Sequence, residues 1–233
     1  MIKKFLRTYI KKNLRYGSYL YRIYLFYNLY IKEKFYLKRK TYSQNREDLF
    51  INKFFKKQKK GYYLDIGAFH PLKFSNTQLL YNRGWNGINI DMNPVSIDCF
   101  NIVRTRDKNI KAAISNKRIN VRVLIDDYFN STNSLILEHF KKYNPKFSKK
   151  KFFYTKTNRV SDFISQNIDF LNIDLEGLDF EVIKDINLKK LKPKLICAEM
   201  LNKIDKKKYS SFLKIYNYKL IKQISSNLFF SKI

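Results

Sequence analysis

The stretch Tyr62-Tyr63-Leu64-Asp65-Ile66-Gly67-Ala68-Phe69-His70-Pro71 decides how the chain is read. A short apolar run leads into a glycine turn, with an acid two places before the glycine. A run of that length bounded by turn residues describes a strand buried on both faces. Outward from it, residues 76–82 have helical character and close at the Arg83-Gly84 turn, and residues 87–91 read as a second strand. Residues 94–105 form a helix opened by Pro94, and residues 110–114 a third strand. Two more buried strands, 168–174 and 195–199, flank a helix over 180–186. A helix around 207–216 then precedes short strands near 219–221 and 228–231. Alternation of this kind predicts a mostly parallel sheet covered by helices on both faces, a three-layer α/β domain. Residues 119–125 alternate with period two and read as an extra strand or hairpin arm. The polar, lysine-rich residues 126–157 read as a loop over the carboxyl edge of the sheet, with a short helix at 135–143.

The chain has 233 residues and 45% apolar and aromatic content, enough for one domain with a real core and an extra element. The formal charge of +29 suits a nucleic-acid binder, a protein on anionic lipid, or an enzyme of an anionic glycan. A compositional reading competes with all three, because Lys, Asn, Ile, Tyr and Phe are in surplus together, as an AT-rich coding sequence produces. Cys99 and Cys197 stand in apolar surroundings, which excludes a disulfide framework and predicts buried thiols in a reducing cytoplasm. The first 40 residues are basic and aromatic, with Glu33 as their one acid, and are helical from Ile10 to Tyr36. Arg15, Arg22 and Asn28 interrupt their apolar run, so neither a secretory signal nor a spanning helix is expected. Two readings of this extension stay open: a helix packed on the main domain, or an interfacial helix on the anionic inner membrane surface.

In an open α/β sheet, ligands bind outside the carboxyl ends of the strands. After the first strand comes Gly67, whose turn lets backbone approach a ligand and whose following helix offers free N–H groups. After the second comes Asp91-Met92-Asn93-Pro94, placed for the two hydroxyls of an adenosine ribose. After the fourth comes Asp174-Leu175-Glu176-Gly177-Leu178-Asp179, and after the fifth Glu199. Only 19 acids face 48 basic residues in the chain, yet acids collect on this one edge. The glycine-rich dinucleotide pattern and a Walker lysine are both absent, and Asp65 would repel a pyrophosphate. An acidic rim favours instead the sulfonium and amino group of S-adenosylmethionine.

Tyr42-Ser43-Gln44-Asn45-Arg46-Glu47-Asp48 resembles the opening signature of FkbM-type methyltransferases. The resemblance continues through Asp65–Pro71, Phe74-Ser75-Asn76-Thr77, Arg83-Gly84-Trp85-Asn86-Gly87, Asp91–Pro94 and Asn172–Gly177, in the family's order over residues 41–231. Met92 departs from a proline found in many members. The resemblance implies a class I methyltransferase (Rossmann-like) domain over 41–233 with a seven-stranded sheet, behind a helical extension over 1–40. It implies S-adenosylmethionine as donor and a hydroxyl acceptor on a sugar, glycolipid or other small molecule. Asp65, Gly67 and Ala68 would hold the methionine end, Asp91 the ribose with Asn93 supporting its turn, and Glu47 would close over the cofactor.

A sugar hydroxyl must lose its proton during attack, and Asp174, His70 and Glu176 are the candidate bases. Asp174 and Glu199, on adjacent strand ends, are alternatively a site for Mg²⁺, though the pair has no clear third protein ligand. Bland roles compete: His70 as a cap, Glu176 and Asp179 as helix caps, Trp85 as core, and His139 as a surface residue. An RNA methyltransferase would share the fold and suit the charge, but no Asn-Pro-Pro-Tyr-like run for a flipped base is present. A non-enzymatic scaffold on a membrane surface is the third reading, against which the retained Asp65 and Asp91 count.

Overall fold

The computed structural model describes residues 15–125 and 151–233. The chain divides into two compact units, Met1–Lys40 and Thr41–Ile233. In the first, Ser18 caps an α-helix over Tyr19–Phe26 by accepting a hydrogen bond from the Tyr21 amide at 3.2 Å. The helix runs on as a π-helical turn over Tyr27–Lys32 and resumes over Lys34–Leu37. No helix among the described residues is long and apolar enough to cross a membrane.

The second unit is built on a seven-stranded sheet. Its strands are β1 (Tyr62–Ile66), β2 (Asn86–Asp91), β3 (Lys108–Lys111), β7 (Phe170–Ile173), β8 (Leu195–Glu199), β9 (Tyr218–Ile224) and β10 (Asn227–Lys232). Their order is β3-β2-β1-β7-β8-β10-β9, with β10 antiparallel to both its neighbours and the remaining pairs parallel. Parallel central strands are covered on both faces, so their side chains are apolar whichever way they point. Leu64 and Ile66 join Ile88, Ile90, Leu171, Ile173, Ile196 and Ala198 in one buried cluster. Tyr63 points the other way, into a second cluster with Trp85, Phe170, Leu195 and Phe55. Trp85 is fully buried and meets the Phe55 ring at 4.8 Å, a core residue as its position suggested. Both cysteines are buried and free.

Two local expectations are corrected. The run 110–114 is not one strand: β3 ends at Lys111, and Ala113–Ile114 (β4) leaves for a second, three-stranded sheet. The break falls where the Ala112 amide bonds the Asp91 carbonyl at 2.9 Å. The end of the segment read as a loop, Lys151–Asn158 (β6), is a strand that pairs antiparallel with Asn120–Ile125 (β5). Its interleaved lysines hide the alternation, and its partner lies more than 25 residues away. The helix expected at 135–143, with His139, falls outside the described residues. Helix ends shift by a few residues elsewhere, to Gln78–Asn82, Pro94–Val103, Asp179–Asp185 and Lys203–Lys214.

Candidate active site

Strand register lines up the site. Ile66 pairs with Ile90 on one side and Ile173 on the other, and Ile173 pairs with Ala198. The next residue on each strand therefore forms one row at the carboxyl edge: Asp91, Gly67, Asp174 and Glu199. A cleft of about 420 Å³ opens over this row. Among the described residues, six carboxylates line it, those of Glu47, Asp65, Asp91, Asp174, Glu176 and Glu199, and no Lys, Arg or His does. In a chain with 48 Lys and Arg this is a sharp separation of charge.

Asp91 accepts the Phe69 amide at 2.8 Å on Oδ2 and the Asn93 amide at 2.7 Å on Oδ1. Each oxygen keeps a lone pair for a ligand hydroxyl. Burial raises its pKa to about 6, against the pull of those two amides. Asn93 in turn caps the Pro94–Val103 helix by accepting the Val95 amide at 3.0 Å. Asp65 is deeper. Its oxygens accept Thr77 Oγ1 at 2.7 Å and Asn172 Nδ2 at 2.8 Å, and burial raises its pKa. Glu47 accepts the Asn45 amide at 2.7 Å, while Asn227 Nδ2 reaches its other oxygen at 3.3 Å.

The glycine turn differs from the expected anion cradle. Gly67 and Ala68 both donate their amides to the Ile90 carbonyl, at 2.9 and 3.2 Å, and Phe69 gives its amide to Asp91. No free N–H remains on these three residues for a phosphate. Glycine is required for another reason. Gly67 has φ +78°, and a Cβ there would lie 1.7 Å from the Asp174 carbonyl oxygen. What approaches closely is the neighbouring strand end.

Asp174, Glu176 and Glu199 bring carboxylate oxygens within 4.8 Å of one another. Asp174 opens onto the cleft and its side chain is exposed there, although the protein packed around the cleft still desolvates its carboxyl. Burial pushes its carboxyl well above the usual range, and the charges of Glu199, Glu176, Asp179 and Asp65 push the same way. Burial, then Glu199 and Asp179, raise Glu176 to about 8. Asp179 is not only a helix cap, since it accepts the Leu175 and Gly177 amides, both at 3.0 Å, and braces the turn that carries Glu176. Glu176 itself sits at φ +51°. It supplies the third oxygen ligand that the Asp174–Glu199 pair lacked, so the trio could hold a hard divalent cation.

His70 does not join them. It is buried and does not line the cleft, and its Nδ1 accepts the Leu72 and Lys73 amides at 3.1 and 3.0 Å. A lone pair committed to two backbone amides cannot take a substrate proton, so the capping role is the one the geometry supports.

Several residues escaped the sequence reading. Arg104 is fully buried and donates to Gln78 Oε1, Thr77 Oγ1, Ser75 Oγ and the Pro71 carbonyl at 2.6–2.9 Å. Through Thr77 it holds Asp65 in place. The turn before β10 brings Ser226 onto Glu199 at 3.0 Å and Asn227 onto Glu47. Phe69 and Phe74, both at positive φ, stack at 6.4 Å on the cleft wall. For the β10 turn the only available signal was the strand's reversal, which starts it at the carboxyl edge beside Glu199.

The strand order with β10 reversed, and an acidic cleft over the carboxyl edge, define a Rossmann-like methyltransferase fold. The family profile described as the Methyltransferase FkbM domain matches residues 65–220, more than half of the chain, and the chain belongs to that family. The crystal structure of methyltransferase FkbM from Methylobacillus flagellatus KT is similar, with 12% sequence identity and a TM-score of 0.49. The similarity covers 96% of this chain and 57% of that one, so the chain spans little more than half that protein's length. No curated protein matches the sequence. The Tyr42–Asp48 motif precedes the matched stretch, yet Gln44, Asn45 and Glu47 line the cleft. Asp48 folds the motif on itself, accepting Thr41 Oγ1, Ser43 Oγ and the Tyr42 amide at 2.6–2.7 Å.

Proposed function

We propose that the chain is an S-adenosylmethionine-dependent O-methyltransferase acting on a hydroxyl of a saccharide, glycolipid or related cell-surface glycan. The observation that carries this reading is the cleft itself, which among the described residues has six carboxylates, no basic side chain and no free amide on the glycine turn. Such a lining accepts hydrogen bonds from hydroxyls and ammonium groups and repels phosphate. A nucleic-acid substrate would bring phosphates close to the reacting atom, which this lining opposes.

The donor, when bound, supplies a methyl group already activated on a sulfonium. Asp91 would bind the ribose hydroxyls, and Asp65, fixed by Thr77 and Asn172, would hold the methionine end. Asp174 and Glu176 line the same cleft, and whichever of the crowded pair is ionised would take the acceptor's proton. Orientation of the acceptor by Glu199 and Asn227 supplies much of the remaining acceleration. A second reading is favoured by the three oxygens within 4.8 Å: Asp174, Glu176 and Glu199 would hold a divalent cation such as Mg²⁺, which would supply Lewis acidity to the hydroxyl. Chelator separates the two, abolishing turnover only in the second case.

Acceptor class is tested by incubating the protein and labelled donor with cell-envelope glycans and, separately, with total RNA. Label should enter glycan and not RNA. Incorporation into RNA alone, persisting at moderate salt, would reverse the assignment.

A further inference from the structure

The helix of the N-terminal unit has two apolar faces. Tyr19–Phe26 and Tyr27–Lys32 run on as one rod, about 20 Å long. One face, Tyr21, Tyr24, Leu25 and Leu29, is buried. On the other, Leu20, Ile23, Phe26, Tyr27, Tyr30 and Ile31 recur every three or four residues and are 41–65% exposed. Tyr19 extends this stripe at one end, and Phe26 and Tyr30 stack within it at 6.0 Å. A contiguous apolar stripe left in water marks a contact surface.

Charge identifies the partner. Residues 1–40 carry twelve Lys and Arg against Glu33 alone, and Glu33 is ion-paired with Lys32 at 3.4 Å. Arg39 lies over the Phe35 ring at 4.0 Å, an amphipathic pair suited to a boundary between apolar and charged layers. The complementary surface is apolar within and negative at its face. A second copy of the chain offers the apolar part but brings the same +29 charge.

From this complementarity we infer that the Tyr19–Ile31 face is an interfacial anchor on an anionic phospholipid bilayer. The stripe lies at the boundary of headgroups and acyl chains, and the lysines and arginines meet lipid phosphates. The rod is too short to span a bilayer and fits the plane of its surface.

Sedimentation of the full chain with vesicles tests this. It should bind an equal mixture of phosphatidylglycerol and phosphatidylcholine at least about tenfold better than phosphatidylcholine alone. The triple variant Ile23→Ser, Phe26→Ser, Ile31→Ser keeps every charge and should lose binding by on the order of a hundredfold. Should circular dichroism show that the triple variant misfolds, Ile31→Ser alone, at a site 60% exposed, should still lose several-fold. Absence of binding to the mixed vesicles overturns the inference. Equal binding by wild type and variant does so too, since basic charge alone would then suffice. A dimer seen by light scattering without lipid, and abolished by the variant, would assign the stripe to a second copy instead.

Discussion

Asp91 and Arg104 show what a single residue reveals in sequence and what it conceals. An acid ending the second strand of an α/β domain has few structural reasons to be there, so spacing alone marked Asp91 as a candidate, and the fold sets it in the cleft lining. Its two backbone hydrogen bonds aim the carboxylate and leave a lone pair on each oxygen, as the proposed contact with a ribose requires. Asp91→Ala should weaken S-adenosylmethionine binding by about 2–4 kcal/mol, as expected for paired charge-assisted bonds, when compared by calorimetry. Asp174→Asn should instead lower turnover by about a hundredfold in a methyl-transfer assay while cofactor affinity stays near wild type. Loss of affinity in that variant would move Asp174 to the methionine pocket. Arg104 was illegible, because in sequence it is one of 48 basic residues. Only the fold shows its guanidinium buried among Gln78, Thr77, Ser75 and the Pro71 carbonyl, 3.8 Å from an equally buried Asp107. Arg104→Met would strand that carboxylate and several polar groups, and denaturant unfolding should show a loss of about 3–5 kcal/mol.

At the scale of elements, the central strands were readable because burial on both faces makes each a plain apolar run. The edges were not. The departure of β4 from β3 depends on the Ala112–Asp91 hydrogen bond, and β6 depends on a partner distant in sequence. The turn from Asp174 to Asp179 was visible as a cluster of acids, but its electrostatics come from enclosure. Glu176 is raised to about 8 and Asp179 to about 7, so the folded chain holds protons there that an unfolded chain has released near pH 4. Stability from these groups is fully present below the unfolded values and is lost as pH rises through about 7 to 8. Denaturant titrations should therefore show the ligand-free protein losing stability between pH 5 and pH 8, and Glu176→Gln should flatten the slope. A stability that climbs over that interval would contradict the electrostatics described. Gly67 sets a sterner constraint on the same edge. With φ +78° and the Asp174 carbonyl 1.7 Å from any added Cβ, Gly67→Ala must part β1 from β7. It should cost about 3 kcal/mol or more in denaturant unfolding.

Across the whole molecule, the charge of +29 and the acidic cleft belong to one design. Composition alone left nucleic acid, anionic lipid and glycan open, because net charge says nothing of where each sign lies. Among the described residues the fold lines the cleft with carboxylates and leaves the basic residues out of it, which weighs against a nucleic-acid reading based on net charge. The central claim is that this edge of the sheet binds a cationic methyl donor. Isothermal titration of the purified chain with S-adenosylmethionine tests it most directly. One equivalent should bind, more tightly as pH rises from 6 to 8 and the cleft acids ionise, and Asp91→Ala should bind far more weakly. No detectable binding at any of these pH values, or equal binding by wild type and Asp91→Ala, would contradict the account.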